Sequence, residues 1–333
     1  MQKKISWGVL SEFRKELMGC SIIGIILFHW YENCMDHGIA TGMIMKLFSL
    51  GNRFVDVFLI LSGIGLFYSF SRKNDVKEFY KRRFGKILPV YCIIAFPYWI
   101  VEDIIILGKG WKQFLCDFTF MSLFTQGNRR FWFIAAIVLF YLIFPPVYYI
   151  LYKGEKKLRN ATFILVIYFL LGIVIGKLLP SVYNNIEIAF WRWLSFFAGI
   201  YLAPKVKNDD RISNWSLLSI FVIMICSFIF YGRISSVVLK SCVFRVGGTF
   251  FGIIAALVIA TVLKCIKEKK CGKLILSLFG SLGEITLEVY MLHVAFRSIF
   301  GYPAGILEYG CLILCSVILA VGIRKTLDFI REK

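Results

Sequence analysis

Histidine is scarce in this chain, acidic residues are few, and its longest apolar stretches hold almost no charge of either sign. The 333 residues include three histidines, His29, His37 and His293, and ten cysteines with no Cys-x-x-Cys pair. That supply does not make a zinc-type ligand set, so no metal is expected. The cysteines fall mostly inside apolar runs and read as small packing residues kept reduced. Charged residues amount to 18% of the chain, against about a quarter in soluble domains. Such a composition excludes a disordered chain, a collagen-like fibre and a disulfide-stapled mini-domain. In excess are apolar residues (59%), aromatics (33 Phe, 16 Tyr, 8 Trp) and positive charge, with 39 Lys and Arg against 20 Asp and Glu.

About 20 apolar residues span a bilayer as a helix. Ten runs qualify: 17–35, 54–70, 87–107, 131–151, 161–180, 188–204, 215–231, 243–263, 282–301 and 305–323. The expected fold is all-α, a polytopic integral membrane bundle of about ten transmembrane helices. One domain is expected over residues 1–333, with no appended soluble domain. The first run ends in Tyr31-Glu32-Asn33-Cys34 with no small-residue cleavage site, so it reads as a retained span. Ser281-Leu282-Gly283-Glu284 reads as a capping box opening the ninth helix.

Positive-inside bias sets the orientation. With the N-terminus inside, the inner segments hold 27 of the 39 basic residues. These segments are Lys3–Lys15, Arg72–Lys86, Lys153–Arg159, Lys205–Arg211, Lys264–Lys273 and Arg324–Lys333. Both termini are expected in the cytoplasm of a multi-pass plasma-membrane protein. Charge divided among short loops is a topology signal, and no nucleic-acid partner is expected.

Ionisable residues at membrane depth are costly and mark function unless they pair to fix packing. His29, Asp56, Arg192, Arg245, Glu284, Glu288, His293 and Arg297 are the candidates. His29, in an otherwise apolar turn, suits proton transfer near neutral pH or a plain core bond to a carbonyl. Asp56 lies one turn after Arg53, the spacing of a local ion pair. Ser62-Gly63 permits close helix approach. The segment from Glu78 to Pro89 is the densest basic stretch and reads as a loop. Arg82, Arg83 and Lys86, with Tyr80 and Phe84 between them, suit a ligand carrying phosphates and an aromatic ring, or anionic membrane lipids.

Five stretches, taken in order, share a pattern. Gly19 to His29 is an apolar helix ending in Phe-His, and Val55–Gly63 carries an Asp and a Ser-Gly. Phe79 to Pro89 is basic, Phe131 to Pro145 opens on Phe-Trp-Phe, and Leu282 to His293 ends in Tyr-Met-Leu-His. Together they resemble the membrane-bound acyltransferase 3 family of polytopic O-acyltransferases. The resemblance implies transfer of an acyl group, usually acetyl, from cytoplasmic acyl-CoA to a hydroxyl of a saccharide at the outer face, such as exopolysaccharide or another cell-envelope glycan. It implies Arg82, Arg83 and Lys86 as the place for CoA phosphates and His29 as general base or acyl carrier. Asp56, Trp132 and His293 match family positions, so Asp56 and His293 join His29 as expected catalytic residues. Two departures stand out. Met18 occupies the place of a family Arg, for which Lys15, or less plausibly Arg14, would substitute. Thr286-Leu287 replaces a family Ser-Tyr. A carrier for a lipid-linked saccharide is the alternative, but Pro145-Pro146 has no counterpart in the second half.

Overall fold

The computed structural model describes residues 5–39 and 42–332. Lys3, Lys4 and Lys333, counted above on the inner side, lie outside the described residues. Twelve helices carry the architecture: α1 (Arg14–Asp36), α2 (Phe54–Lys73), α3 (Val76–Trp99), α4 (Trp132–Tyr152), α5 (Lys157–Leu178), α6 (Pro180–Phe190), α7 (Trp193–Lys207), α8 (Asn214–Tyr231), α9 (Val237–Ile266), α10 (Lys270–Glu284), α11 (Thr286–Ile299) and α12 (Ile306–Glu332). Among the described residues, eight helical stretches are long and apolar enough to cross a membrane, and the bent pair α10–α11 makes a ninth. The first expected span is α1, whose 23 residues reach about 34 Å. Its polar end from His29 to Asn33 lowers its mean hydropathy. The protein is an all-α polytopic membrane protein.

Glycine sets the tightest contacts. A Cβ on Gly63 of α2 would lie 2.3 Å from the Phe196 carbonyl oxygen, and one on Gly199 of α7 would lie 2.1 Å from that of Ile60. A second reciprocal pair joins α1 to α10. A Cβ on Gly19 would meet the Phe279 carbonyl and one on Gly283 the Lys15 carbonyl, each at 1.9 Å. Small residues let backbones approach in lipid, where dispersion and packing drive association. At the periphery, α8 and α5 turn Phe221, Phe230, Phe163 and Leu170 outward. Exposed apolar faces of this extent suit lipid contact.

The inner segments named from charge gather at one end. The Trp7 amide donates to the Asp210 carbonyl (2.9 Å), and Glu12 pairs with Lys267 (3.1 Å). Lys157 donates to the Tyr201 carbonyl (2.9 Å), Tyr149 to that of Asn74 (3.4 Å), and Arg331 to that of Gly85 (3.0 Å). Tyr149 and Tyr201 lie one turn before their segments, and Glu12, Arg72, Lys207 and Lys264 line one cavity, so the six segments gather there with both described ends of the chain. At the opposite end Trp30 and Asn33 donate to the Ala304 and Pro303 carbonyls.

Two local expectations are corrected. The basic stretch after Glu78 is not a loop: α3 starts at Val76, capped by Asp75, whose side chain accepts from the Glu78 amide (2.9 Å). Phe79, fully buried against Phe70 and Phe144, anchors that start. Ser281–Glu284 forms the last turn of α10 and does not cap the next helix. The chain breaks at Ile285 and turns by 71° into α11.

Candidate active site

His29 sits near the polar end of α1, and the 71° turn at Ile285 aims α11 across it. The two histidines meet with His29 Nδ1 2.7 Å from His293 Nε2 and their rings stacked at 5.0 Å. His293 Nδ1 lies 3.0 Å from the Val289 carbonyl oxygen. A carbonyl only accepts, so the proton on that side belongs to His293 Nδ1. With both rings neutral, His293 Nε2 is an acceptor and His29 Nδ1 must donate to it. His29 Nε2 is left as a lone pair. On its other side, Glu32 Oε2 lies 4.0 Å from His29 Nε2 and is held by Arg297 (3.2 Å). Arg297 Nε donates to Asn33 Oδ1 (2.5 Å), which fixes its fork.

Two cavities share His29 as a wall, together with Ile25, Val55, Trp132 and Tyr290. One, of about 170 Å³, runs toward the basic end and is largely apolar, with Met18, Ile22, Ile87, Ile137 and Tyr141 in its lining. The other, of about 320 Å³, lies toward the opposite end and is polar, lined by Glu32, Asn52, Arg129, Arg192, Arg297 and Tyr302. Trp132, a family match without an assigned role, is thereby placed between the two.

A third cavity, of about 390 Å³, occupies the basic end, lined by Arg14, Gly65, Tyr68, Arg72, Lys73 and Arg82. Arg14 lines this cavity and Met18, one turn on along α1, lines the apolar one, so the two are neighbours. The helical form of α3 separates its basic residues. Arg82 reaches back one turn to Glu78 (2.9 Å), while Arg83 lies over the buried Phe79 ring (5.9 Å). Lys86 feels the charges of Arg83, Arg324 and Arg331. Arg82 Nε and Nη2 and Arg83 Nε are buried without hydrogen-bond partners.

Lys15, the favoured replacement for the missing family cation, is committed elsewhere. It pairs with Glu284 at 2.6 Å on the exposed face of α10. Arg14 turns inward instead, donating to the Leu61 carbonyl (3.2 Å) in space that Gly65 leaves open, where a Cβ would fall 2.7 Å from Arg14 Nη2. Asp56 is fully buried and lines neither of the cavities that meet at His29. Its Oδ1 accepts from Ser195 (2.8 Å), which also bonds Thr249 (2.7 Å). No ion pair with Arg53 forms within 4.0 Å; Arg53 stacks on Phe244 (3.9 Å). The remaining candidates divide as follows: Glu288 pairs with Arg324 (3.3 Å), Arg245 lies 4.0 Å from Glu187, and Arg192 and Arg297 line the polar cavity. Sequence reading passed over Glu32, although i to i+3 spacing puts it on the face of His29. Tyr141 has no local signal, Tyr290 reads only as part of the Tyr-Met-Leu-His stretch, and Arg72 and Lys73 read only as topology charges. Among the described residues, no group of three His, Cys, Asp or Glu side chains is placed to hold a metal ion.

Comparison with known proteins gives the family. A family model described as "Acyltransferase domain", of the acyltransferase 3 type, matches residues 17–325. The curated relative "Acyltransferase MdmB" of Streptomyces mycarofaciens is 26% identical over 130 residues, 35% of this chain and 33% of its own length. The chain therefore matches about a third of that relative. No solved structure matches. The family model covers nearly the whole all-α bundle, and the chain belongs to the acyltransferase 3 family.

Proposed function

We propose that the protein moves a short acyl group, acetyl in the simplest case, from acyl-CoA to a hydroxyl of a saccharide held in the polar cavity. By the positive-inside rule the basic end is cytoplasmic and the polar cavity faces outward across a plasma membrane. The observation that carries the reading is His29, a shared wall of both cavities, whose Nε2 the His293 bond leaves as a base. Arg82, Arg83 and Lys86, with Arg14, Arg72 and Lys73, supply cations at the mouth for the diphosphate and 3′-phosphate of the donor. The apolar cavity, smaller than the ~300–1,000 Å³ of drug-sized pockets, suits a narrow thioester arm and favours a short acyl group.

His29 Nε2 takes the proton of the acceptor hydroxyl as its oxygen bonds to the acyl carbon. The carbon–sulfur bond breaks, and the departing thiolate receives that proton, so an ester and free thiol result. His293, accepting from His29 Nδ1, steadies the imidazolium that forms between the two transfers. Glu32 adds an oriented carboxylate near the charged ring.

The test uses membranes containing the protein, acyl-labelled acetyl-CoA and a cell-envelope glycan fraction. Label entering alkali-labile ester on glycan, and lost in His29→Ala, supports the proposal. Undiminished labelling in His29→Ala would overturn the assignment of the base, and label that never reaches glycan would overturn the acceptor.

A further inference from the structure

The polar cavity is charged out of balance. Four arginines and one glutamate line it: Arg129, Arg130, Arg192, Arg297 and Glu32. Arg130 is matched by Glu102 (2.5 Å) and Arg297 by Glu32 (3.2 Å). Arg192 is not matched. It sits at the break between α6 and α7, 1% exposed, and among the described residues no carboxylate lies within 4.0 Å of it. Its Nη2 bonds the carbonyl and side-chain oxygens of neutral Asn52. Nε and Nη1 are buried with no hydrogen-bond partner.

The surroundings relieve this charge only in part. Arg53 and Arg245 belong to the same cluster, and the nearby acids are Asp56 and Glu187. Asp56 bonds Ser195. Glu187 is 4.0 Å from both Arg245 and Arg129, and Arg129 otherwise bonds only the Asn184 carbonyl. A guanidinium stays ionised in any such setting, and a buried ion with no counter-ion in direct contact is unfavourable. On this wall, beside Trp132 whose ring Arg192 overlies at 5.1 Å, an oxyanion from outside would complete the set. Carboxylate and phosphate both fit a planar fork of N–H donors.

We propose that the acceptor is an anionic saccharide, whose carboxylate or phosphate is bound by Arg192 with Arg129 while a neighbouring hydroxyl reaches His29. The proposal rests on the acyl-transfer reading above and narrows it from saccharides in general to charged ones. Arg192 is then a specificity residue, separate from the basic cavity that receives the donor at the other end. The same chemistry could be offered by a lipid headgroup phosphate, and the experiment separates the two sources.

The full chain in phosphatidylcholine nanodiscs is given labelled acetyl-CoA and three probes: methyl glucuronoside, glucose 1-phosphate and methyl glucoside. Expected is a kcat/KM for the charged probes about tenfold or more above that for the neutral one, the weight of one charge-assisted hydrogen bond. The advantage should shrink as salt is raised, and R192Q should reduce it about tenfold, mainly through KM. Equal use of charged and neutral probes by the wild type would overturn the anionic acceptor and leave acyl transfer standing. This arm needs no variant, so it decides the matter even if R192Q does not fold. A rate set by added phosphatidylglycerol, whatever the probe's charge, would assign Arg192 to a headgroup and overturn the proposal. Thioester cleavage without transfer to any probe would overturn the saccharide acceptor and the inference together, whereas no cleavage at all would overturn the acyl-transfer reading itself.

Discussion

His29 and His293, 264 residues apart in sequence, share one hydrogen bond of 2.7 Å, and its direction is fixed by a helix carbonyl behind the second ring. The bond needs α11 to leave the line of α10 at Ile285. Sequence alone marks both histidines but says nothing of their meeting.

Removing the base and removing its partner should therefore differ. General base catalysis contributes about 10²–10⁴ in rate, so His29→Ala should lower kcat by that much. His293→Ala removes one bond to a ring that becomes charged, worth about 1.5–3 kcal/mol, or roughly 10- to 150-fold in kcat. His293→Gln, which can still present an oxygen to Nδ1, should recover part of the loss. Steady-state kinetics on purified protein check the order; equal kcat for His293→Ala and wild type would remove His293 from the mechanism.

Arg14 and Lys15 offer a sharper contrast, because they are adjacent. Arg14→Ala should raise KM for acetyl-CoA several-fold, since that guanidinium lines the basic cavity. Lys15→Ala should leave KM unchanged, because its partner Glu284 is on the exposed face of α10. The reverse result would restore Lys15 as the donor-side cation.

Asp56 should behave as a structural residue. Asp56→Ala removes a buried carboxylate from among Arg53, Arg192 and Arg245, and breaking such a set by one partner costs about 3–5 kcal/mol. The expected outcome is a lower thermal midpoint and poor folded yield, with turnover per folded molecule close to wild type. Measured midpoints and active-site titration separate the two effects.

Glycine positions give an internal control for packing. Gly63→Ala would press a methyl toward the Phe196 carbonyl at 2.3 Å, and overpacking costs about 1–3 kcal/mol. Gly310→Ala on α12 meets nothing within 4 Å and should gain about 0.5–1 kcal/mol from helix propensity. Opposite shifts in thermal midpoint are expected.

Much of the fold is legible in the sequence because lipid leaves a chain few choices. Apolar runs must become helices, and basic segments must share a side, as the contacts of Glu12 with Lys267 and of Arg331 with Gly85 bear out. Ser62-Gly63 was legible for a similar reason, since close approach in lipid asks for small residues. What was not legible depends on which way neighbours push. Gly283 packs on the Lys15 backbone and leaves that side chain to Glu284, while Gly65 opens room for Arg14. Helical periodicity ranks these two cations in the opposite order. Polar residues likewise hid the start of α3, where Asp75 caps a helix whose first turns are mostly charged. Its apolar pattern begins to show only at Ile87.

The shared wall around His29 has a further consequence. The two cavities meet through a layer of a few side chains, chiefly His29, Trp132 and Tyr290, so that layer also has to act as the permeability seal of the membrane. On the proposed reading, a chemical group passes across the bilayer without a route for ions, so long as bulky rings close the gap. Trp132→Gly should open it, turning a transferase into a slow proton leak that a pH-sensitive dye inside sealed vesicles would report.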